Sequence, residues 1–377
     1  MTRKERLQNT LQGKAVDRPP VSFYELDWYV GRTEDPDPYN IFNHPSWKPL
    51  LELTRDKADR LLSINPIGAM PKKAVPDRMK TVVEENGDEK ITMTTLEAAG
   101  RKLTSRTARQ KEVYTVWTTE HLLKDTDDFK AYLSLPPEEF NGTIDVQAFL
   151  EAEKNLGDDG ISLIDSADPL CMVAPLFDMG TYTVMAMTEE DLFTEALERA
   201  ARYILARTKA VAEALPGRLW RICGPEYAGE PYLPPSLFHK YVTPYVREMT
   251  DIIHAGGGFA RVHCHGRIRN IMPYIMETGC DGIDPIEPPG QGDVTMEYMR
   301  RNYGDKLVLF GNLEITDIEN LPPEELRRKV MTALDEGTAG SGRGMVLMPS
   351  ACPYGRVLPE KTLKNYELII ECIENCR

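Results

Sequence analysis

The feature that most constrains this chain is a repeated pairing, in which eight short apolar runs are each followed by a helical pattern. The runs are Val21–Tyr24, Ala58–Ile64, Gly160–Ile164, Arg218–Cys223, Phe259–His263, Asp281–Asp284, Leu307–Phe310 and Met345–Met348. Strands that alternate with helices lie parallel, because each helix carries the chain back to the end of the sheet where the next strand begins. Eight such units fit a closed (β/α)8 barrel of the TIM type better than an open doubly wound sheet. The expected fold class is therefore α/β, a single barrel domain over residues 1–377. Residues 78–120 break the rhythm. There Lys80–Glu84 and Lys90–Leu96 flank Asn86-Gly87, a strong hairpin signal, and Val113–Thr118 is again β-like. This stretch reads as an antiparallel hairpin insertion in the N-terminal third.

Composition narrows the class of function. With 41% hydrophobic and 28% charged residues the chain has material for a large core, which excludes wholesale disorder. The net charge of −14 sets the surface field against phosphate backbones and anionic lipid, so neither nucleic acid nor membrane is an expected partner. No apolar run of about 18 residues occurs, and Met1 to Arg6 leads into an amphipathic helix, which gives a cytoplasmic expectation. Seven scattered cysteines read as thiols, one or two of them ligands, and not as a disulfide framework. No glycine fingerprint for a dinucleotide and no phosphate-binding loop is present; Gly256-Gly257-Gly258 precedes a strand and lacks the helix such a loop needs.

In a parallel barrel the chemistry sits at the carboxyl ends of the strands. The polar residues expected there are Tyr24, Glu25, Asp27, Asn65, Asp165, Glu226, His263, His265, Asp284, Glu287, Asn312, Glu314 and Cys352. In Val262-His263-Cys264-His265-Gly266, alternate residues face the same way, so two imidazoles can address one ion while Cys264 points away. Cys352, just past the last strand, is the candidate third ligand. Two imidazoles and a thiolate suit zinc and leave a fourth position open for chemistry or for Glu226. A chance His-x-His and a small buried cysteine are the bland alternative. Glu226, Asp284 and Glu287 are the candidate catalytic carboxylates; their alternative is to cap helices or pair with arginines. Cys171, Cys223 and Cys280 stand among apolar neighbours and read as core, and Cys372 and Cys376 fall one turn apart near the end of the chain. Trp28, Tyr29, Tyr227, Tyr232 and Tyr354 either line a pocket or pack.

Several of these segments together resemble one family. They are Arg3-Lys4-Glu5-Arg6-Leu7 with Gly13 to Val21, the His263 strand, Asp281-Gly282-Ile283, Gly311-Asn312-Leu313 and the Cys352 loop. The chain is similar from end to end to the uroporphyrinogen decarboxylase superfamily, closest to its corrinoid-dependent zinc methyltransferases, including the methylcobamide:coenzyme M and O-demethylase types. The resemblance implies the same (β/α)8 barrel, a zinc ion, and a corrinoid carried by a separate protein, since no Asp-x-His-x-x-Gly signature occurs here. In that branch the metal motif is His-x-Cys with a later Cys, so His263 and Cys352 map directly and His265 replaces a cysteine. One thiolate in place of two gives a more Lewis-acidic metal.

The implied activity is methyl transfer between a small methylated substrate or acceptor and the corrinoid. The alternatives are porphyrin-pathway decarboxylation and a catalytically silent ligand-binding barrel. Where decarboxylases carry an arginine-rich segment, this chain has Tyr24-Glu25-Leu26-Asp27-Trp28-Tyr29, whose acids repel a polycarboxylate. Nothing in the sequence opposes a homo-oligomer.

Overall fold

A computed structural model describes residues 1–68 and 79–375; residue 78, Cys376 and the side chain of Tyr24 lie outside the described residues. The strands are β1 (Arg60–Ser63), β2 (Met79–Asn86), β3 (Glu89–Ala98), β4 (Arg101–Gln110), β5 (Val116–Glu120), β6 (Gly160–Ala167), β7 (Leu219–Cys223), β8 (Phe259–His263), β9 (Gly282–Ile286), β10 (Val308–Leu313) and β11 (Met345–Pro349). Seven of them form one parallel sheet in the order β1-β6-β7-β8-β9-β10-β11, a TIM-like half-barrel in which neighbours in sequence are neighbours in space. Strands β9 and β11 are buried at every position, as expected of parallel strands covered on both faces.

The first expected strand, Val21–Tyr24, is corrected. Val21 makes a single parallel bridge to Leu347, and the chain then enters a short helix, Tyr24–Asp27. The Ser22 N–H donates to the Leu347 carbonyl at 2.9 Å and the Asp59 N–H donates to the Val21 carbonyl at 2.7 Å. One residue thus links the free edge of β11 to the approach to β1. Phe23 leaves the ladder to pack edge-on against Tyr366, 4.8 Å between ring centroids.

That link is clamped by charge. Asp59 is wholly buried and takes Arg6 Nη1 at 2.5 Å, Arg18 Nη1 at 2.9 Å and the Val21 N–H at 2.9 Å. The helix Arg3–Leu11 begins in a capping box of Thr2 and Glu5, and its apolar stripe, Leu7 and Leu11, packs with Leu61, Leu163, Leu219, Val308 and Phe310. This layer closes the amino-terminal end of the half-barrel and leaves the carboxyl end for chemistry.

The insertion is a four-stranded antiparallel sheet, β2-β3-β4-β5, with Asn86 opposite Glu89 around the expected turn. Sequence reading missed β4 because it is mostly Arg, Lys, Ser and Thr; only Leu103 and Ala108 bury there. Among the described residues no single helix is long and apolar enough to cross a membrane.

Candidate functional site

Strand register places the central residues in one row. Cys223 pairs with His263 and His263 with Asp284, while two residues back Asp165 pairs with Arg221 and Arg221 with Arg261. Nδ1 of His263 lies 2.8 Å from Oδ2 of Asp284, and Arg261 Nε lies 2.9 Å from the other oxygen, with both Asp284 and Arg261 wholly buried. Burial opposes ionisation of Asp284, but the charge of Arg261 and the hydrogen bond with His263 outweigh it and hold the carboxyl down at about 2. Burial lowers His263 to about 3, Asp284 pulling the other way and Arg221 adding to the fall, so its imidazole is neutral.

His265 stands beside it, its ring centroid 4.6 Å from that of His263 and nearly perpendicular. Its Nδ1 lies 2.9 Å from Glu287 Oε1, and Glu287 Oε2 accepts the Gly266 N–H at 2.6 Å. Gly266 has φ +84°, the left-handed turn that lets this N–H face back to the carboxylate. Burial works against the charged form of His265, yet the hydrogen bond and charge of Glu287 raise its pKa overall. The expected alternation therefore holds: the two imidazoles meet and Cys264 is buried in the core. Each imidazole has Nδ1 turned to a carboxylate, the arrangement that fixes a tautomer and leaves Nε2 to face a ligand.

Around this pair the mouth is acidic. Glu226, in the turn Pro225–Ala228, accepts the Gly224 N–H at 3.0 Å, and burial raises its carboxyl, with His265 opposing. Arg221 is engaged by both oxygens of Asp165 at 3.2 Å and lies 5.3 Å from the Trp28 ring centroid. Of the three candidate catalytic carboxylates, Asp284 lies beneath His263 and Glu287 behind His265, both as positioning groups, and Glu226 is the one at the mouth.

Cys352 is placed elsewhere. Its N–H donates to Glu25 Oε2 at 2.8 Å and its side chain sits in a small hollow with Phe23, Leu26, Pro349 and Tyr366. Burial raises the thiol strongly and the Glu25 carboxylate adds to this, which disfavours the thiolate a metal needs. Among the described residues no three His, Cys, Asp or Glu side chains form a group that could hold a metal ion. His263 and His265 thus fit one half of a zinc site, and Cys352 as placed does not supply the other.

The segment expected at the mouth divides. Glu25 does reach the Cys352 loop, but Asp27 pairs with Arg60, the first residue of β1, at 2.5 Å. Tyr29 stacks on Phe42 at 3.9 Å as packing. Sequence reading also passed over Cys171 and Cys223 as core. The Cys223 thiol donates to the Ser166 carbonyl at 3.5 Å, and its neighbourhood with the Cys171 thiol lowers the pKa of Cys171 and raises that of Cys223. Beside them Asp168 is wholly buried, one oxygen accepting the Cys171 N–H at 2.7 Å and Oδ2 unpartnered. Gly224 is required here: its φ is +122° and a Cβ would fall 2.1 Å from Asp168 Oδ1. The available signal for the arginines was a charge in the middle of an apolar strand, in Leu219-Trp220-Arg221-Ile222-Cys223 and again in Phe259-Ala260-Arg261-Val262-His263.

The family model for uroporphyrinogen decarboxylase (URO-D) matches residues 169–376, which include β7 to β11, His263, His265, Glu226, Asp284 and Glu287. The chain belongs to the URO-D family. Among solved structures, this URO-D family chain is similar to a methyltransferase from Methanosarcina mazei, at 15% identity over 98% of both chains with a TM-score of 0.59, a likeness of fold. A D-psicose 3-epimerase from Clostridium cellulolyticum H10 matches 62% of this chain and 92% of its own at 11% identity, with a TM-score of 0.32, too low to bear on the fold. No curated protein matches the chain by sequence.

Proposed function

We propose that this URO-D family chain transfers a methyl group between a small methylated substrate or acceptor and the cobalt of a separate corrinoid protein. The observation that carries the reading is the pair His263 and His265, each set on its own carboxylate, in an acidic mouth at the carboxyl end of the strands. The methyltransferase fold likeness over nearly the whole chain supports the same reaction class. Decarboxylation of a polycarboxylate is the weaker reading. The mouth presents Asp165, with the Glu287 carboxylate behind His265, and its Arg221 is already engaged by Asp165, so a multiply anionic substrate meets repulsion.

In this reading Glu226 carries the proton. Burial favours its neutral form, and the Gly224 N–H takes Oε2, which leaves Oε1 to hold the proton. When a methyl group leaves an ether or amine donor, the electron pair of the broken bond stays on the heteroatom, and the Glu226 proton neutralises it. Glu287 and Asp284 keep both imidazoles in one orientation during the step. Zinc belongs to the proposal through His263 and His265 alone. Because Cys352 as placed does not complete a three-ligand centre, no step is routed through the metal.

The test is a screen of methoxylated aromatics, methylamines and betaines with chain and cobalt(I) corrinoid, read by the corrinoid absorbance change on methylation. Methylation that depends on the chain and falls in Glu226→Gln supports the reading. Decarboxylation of uroporphyrinogen with no methyl transfer from any donor class overturns it.

A further inference from the structure

The antiparallel insertion ends in an open edge. In the order β2-β3-β4-β5 strand β2 is terminal, and every residue from Met79 to Asn86 is exposed. Val82 and Val83 stand at its centre, 51% and 52% exposed, where antiparallel sheets commonly keep one face covered. The register with β3 runs the whole length of the strand without a shift. At the other side of the sheet β5 has only five residues and a register shift against Arg106 and Thr107 of β4, which blunts that edge. A long, regular edge such as β2 is a template on which another strand pairs.

The hairpin decides which peptide groups address that edge. It turns at Gly87, φ +66°, and Asp88, so the Asn86 carbonyl faces the Glu89 N–H across the turn. By alternation Lys80, Val82 and Glu84 direct their N–H and C=O to β3, and Thr81, Val83 and Glu85 direct theirs outward. Directly opposite Lys80 and Glu84 the ladder places Thr95 and Ile91, neither of which is charged.

We propose that β2 docks on β2 of a second copy of this chain, antiparallel and centred on Val82, and joins two four-stranded sheets into one of eight strands. The two-fold axis of such a pair stands perpendicular to the sheet and keeps each face on its own side, so directly opposite residues are both even or both odd in number. Centred on Val82, Lys80 meets the partner's Glu84 on either side of the axis. The two Val82 side chains meet at the axis, and Thr81 exchanges backbone hydrogen bonds with the partner's Val83. Centred on Val83 instead, the pairing sets Val82 against Glu84 and Lys80 against Asn86, which leaves both charges unmatched. None of the mouth residues named above lies on β2, so this contact is independent of methyl transfer.

The test is sedimentation velocity of the full chain at about 100 µM, which populates a dimer of micromolar dissociation constant. Wild type sediments as a dimer. Lys80→Glu sets glutamate against glutamate twice and Glu84→Lys sets lysine against lysine twice, so each alone weakens the dimer about tenfold or more, the scale of two altered cross-strand charge pairs. Mixed in equal amounts, the two variants form a dimer of one copy each, because every charged pair is again opposite in sign. Val83→Pro removes an outward N–H while leaving the ladder to β3 its hydrogen bonds, and it gives a monomer. All three positions are exposed, and unchanged thermal unfolding of each variant shows that the sheet itself is intact. A wild-type monomer at that concentration, a dimer insensitive to the three variants, or charge variants that do not pair on mixing overturns the proposal.

Discussion

Asp284 Oδ2 lies 2.8 Å from Nδ1 of His263 while its other oxygen lies 2.9 Å from Arg261, so one buried carboxylate both orients the imidazole and balances a guanidinium inside the half-barrel. Removing a single partner from a buried charge pair leaves the remaining charge uncompensated and typically costs about 3–5 kcal/mol. Asp284→Asn keeps the size of the side chain and should lower stability on that scale in urea unfolding. A loss below about 1 kcal/mol, the range of a surface pair, would mean that Arg261 does not depend on Asp284.

Metal content separates the two halves of the zinc proposal. The structure predicts that His263→Ala and His265→Ala each lower zinc bound by chelator-washed, zinc-reloaded protein, because both imidazoles present Nε2 from a carboxylate-fixed ring. It predicts no such loss for Cys352→Ser, whose side chain lies with Glu25 and Tyr366. Elemental analysis of the three variants decides. If Cys352→Ser loses zinc as the histidine variants do, the loop after β11 rearranges on metal binding and the ligand set implied by family resemblance is restored. Unchanged zinc in both histidine variants removes the metal from the proposal altogether.

The N-terminal segment that carried part of the family resemblance has a structural cause. Arg6 and Arg18 converge on Asp59, which also receives the Val21 N–H, and this holds the bridge between β11 and the approach to β1. Asp59→Asn should therefore cost about 3–5 kcal/mol in urea unfolding, as for other buried pairs broken on one side. Zinc content and methyl transfer per folded molecule should stay at the wild-type value, because no mouth residue touches Asp59. A variant with full stability but lost activity would place this cluster in the chemistry instead.

How much of this was legible in the sequence depended on whether a local rule governed the residue. Phe259–His263 was read with its observed bounds, since a short apolar run ending in a polar residue is a local pattern, and alternation alone joined His263 to His265. The fate of Cys352 is not local. Its direction is set by Glu25, 327 positions away in the chain, on a short helix that begins where the expected strand Val21–Tyr24 ends. Cys171 and Cys223 were passed over because apolar neighbours suggest core, whereas β7 ends at Cys223 and the buried Asp168 draws the Cys171 turn against it. Seven strands were seen because each carries its own hydrophobic run. Val21 was overextended because a bridge of one residue leaves no periodicity to measure.

Glu226 offers a pH signature that joins stability to function. Its folded pKa is raised, chiefly by burial, so folding disfavours its charged form. For a raised carboxyl the favourable contribution is complete below the unfolded value, near 4.3, and is lost as pH rises through the folded value. Above that point wild type bears the burden of a poorly solvated carboxylate. Glu226→Gln keeps the shape and the acceptor for the Gly224 N–H but removes the charge. In metal-free protein the variant should therefore melt at a higher temperature than wild type at pH 8, and the gap should close as pH falls to 4. Methyl transfer should drop in the same variant, the usual opposition between stability and a group strained for catalysis. A melting difference that is flat between pH 4 and 8 would show that Glu226 is charged at little cost, and it would remove the reason for assigning it the proton.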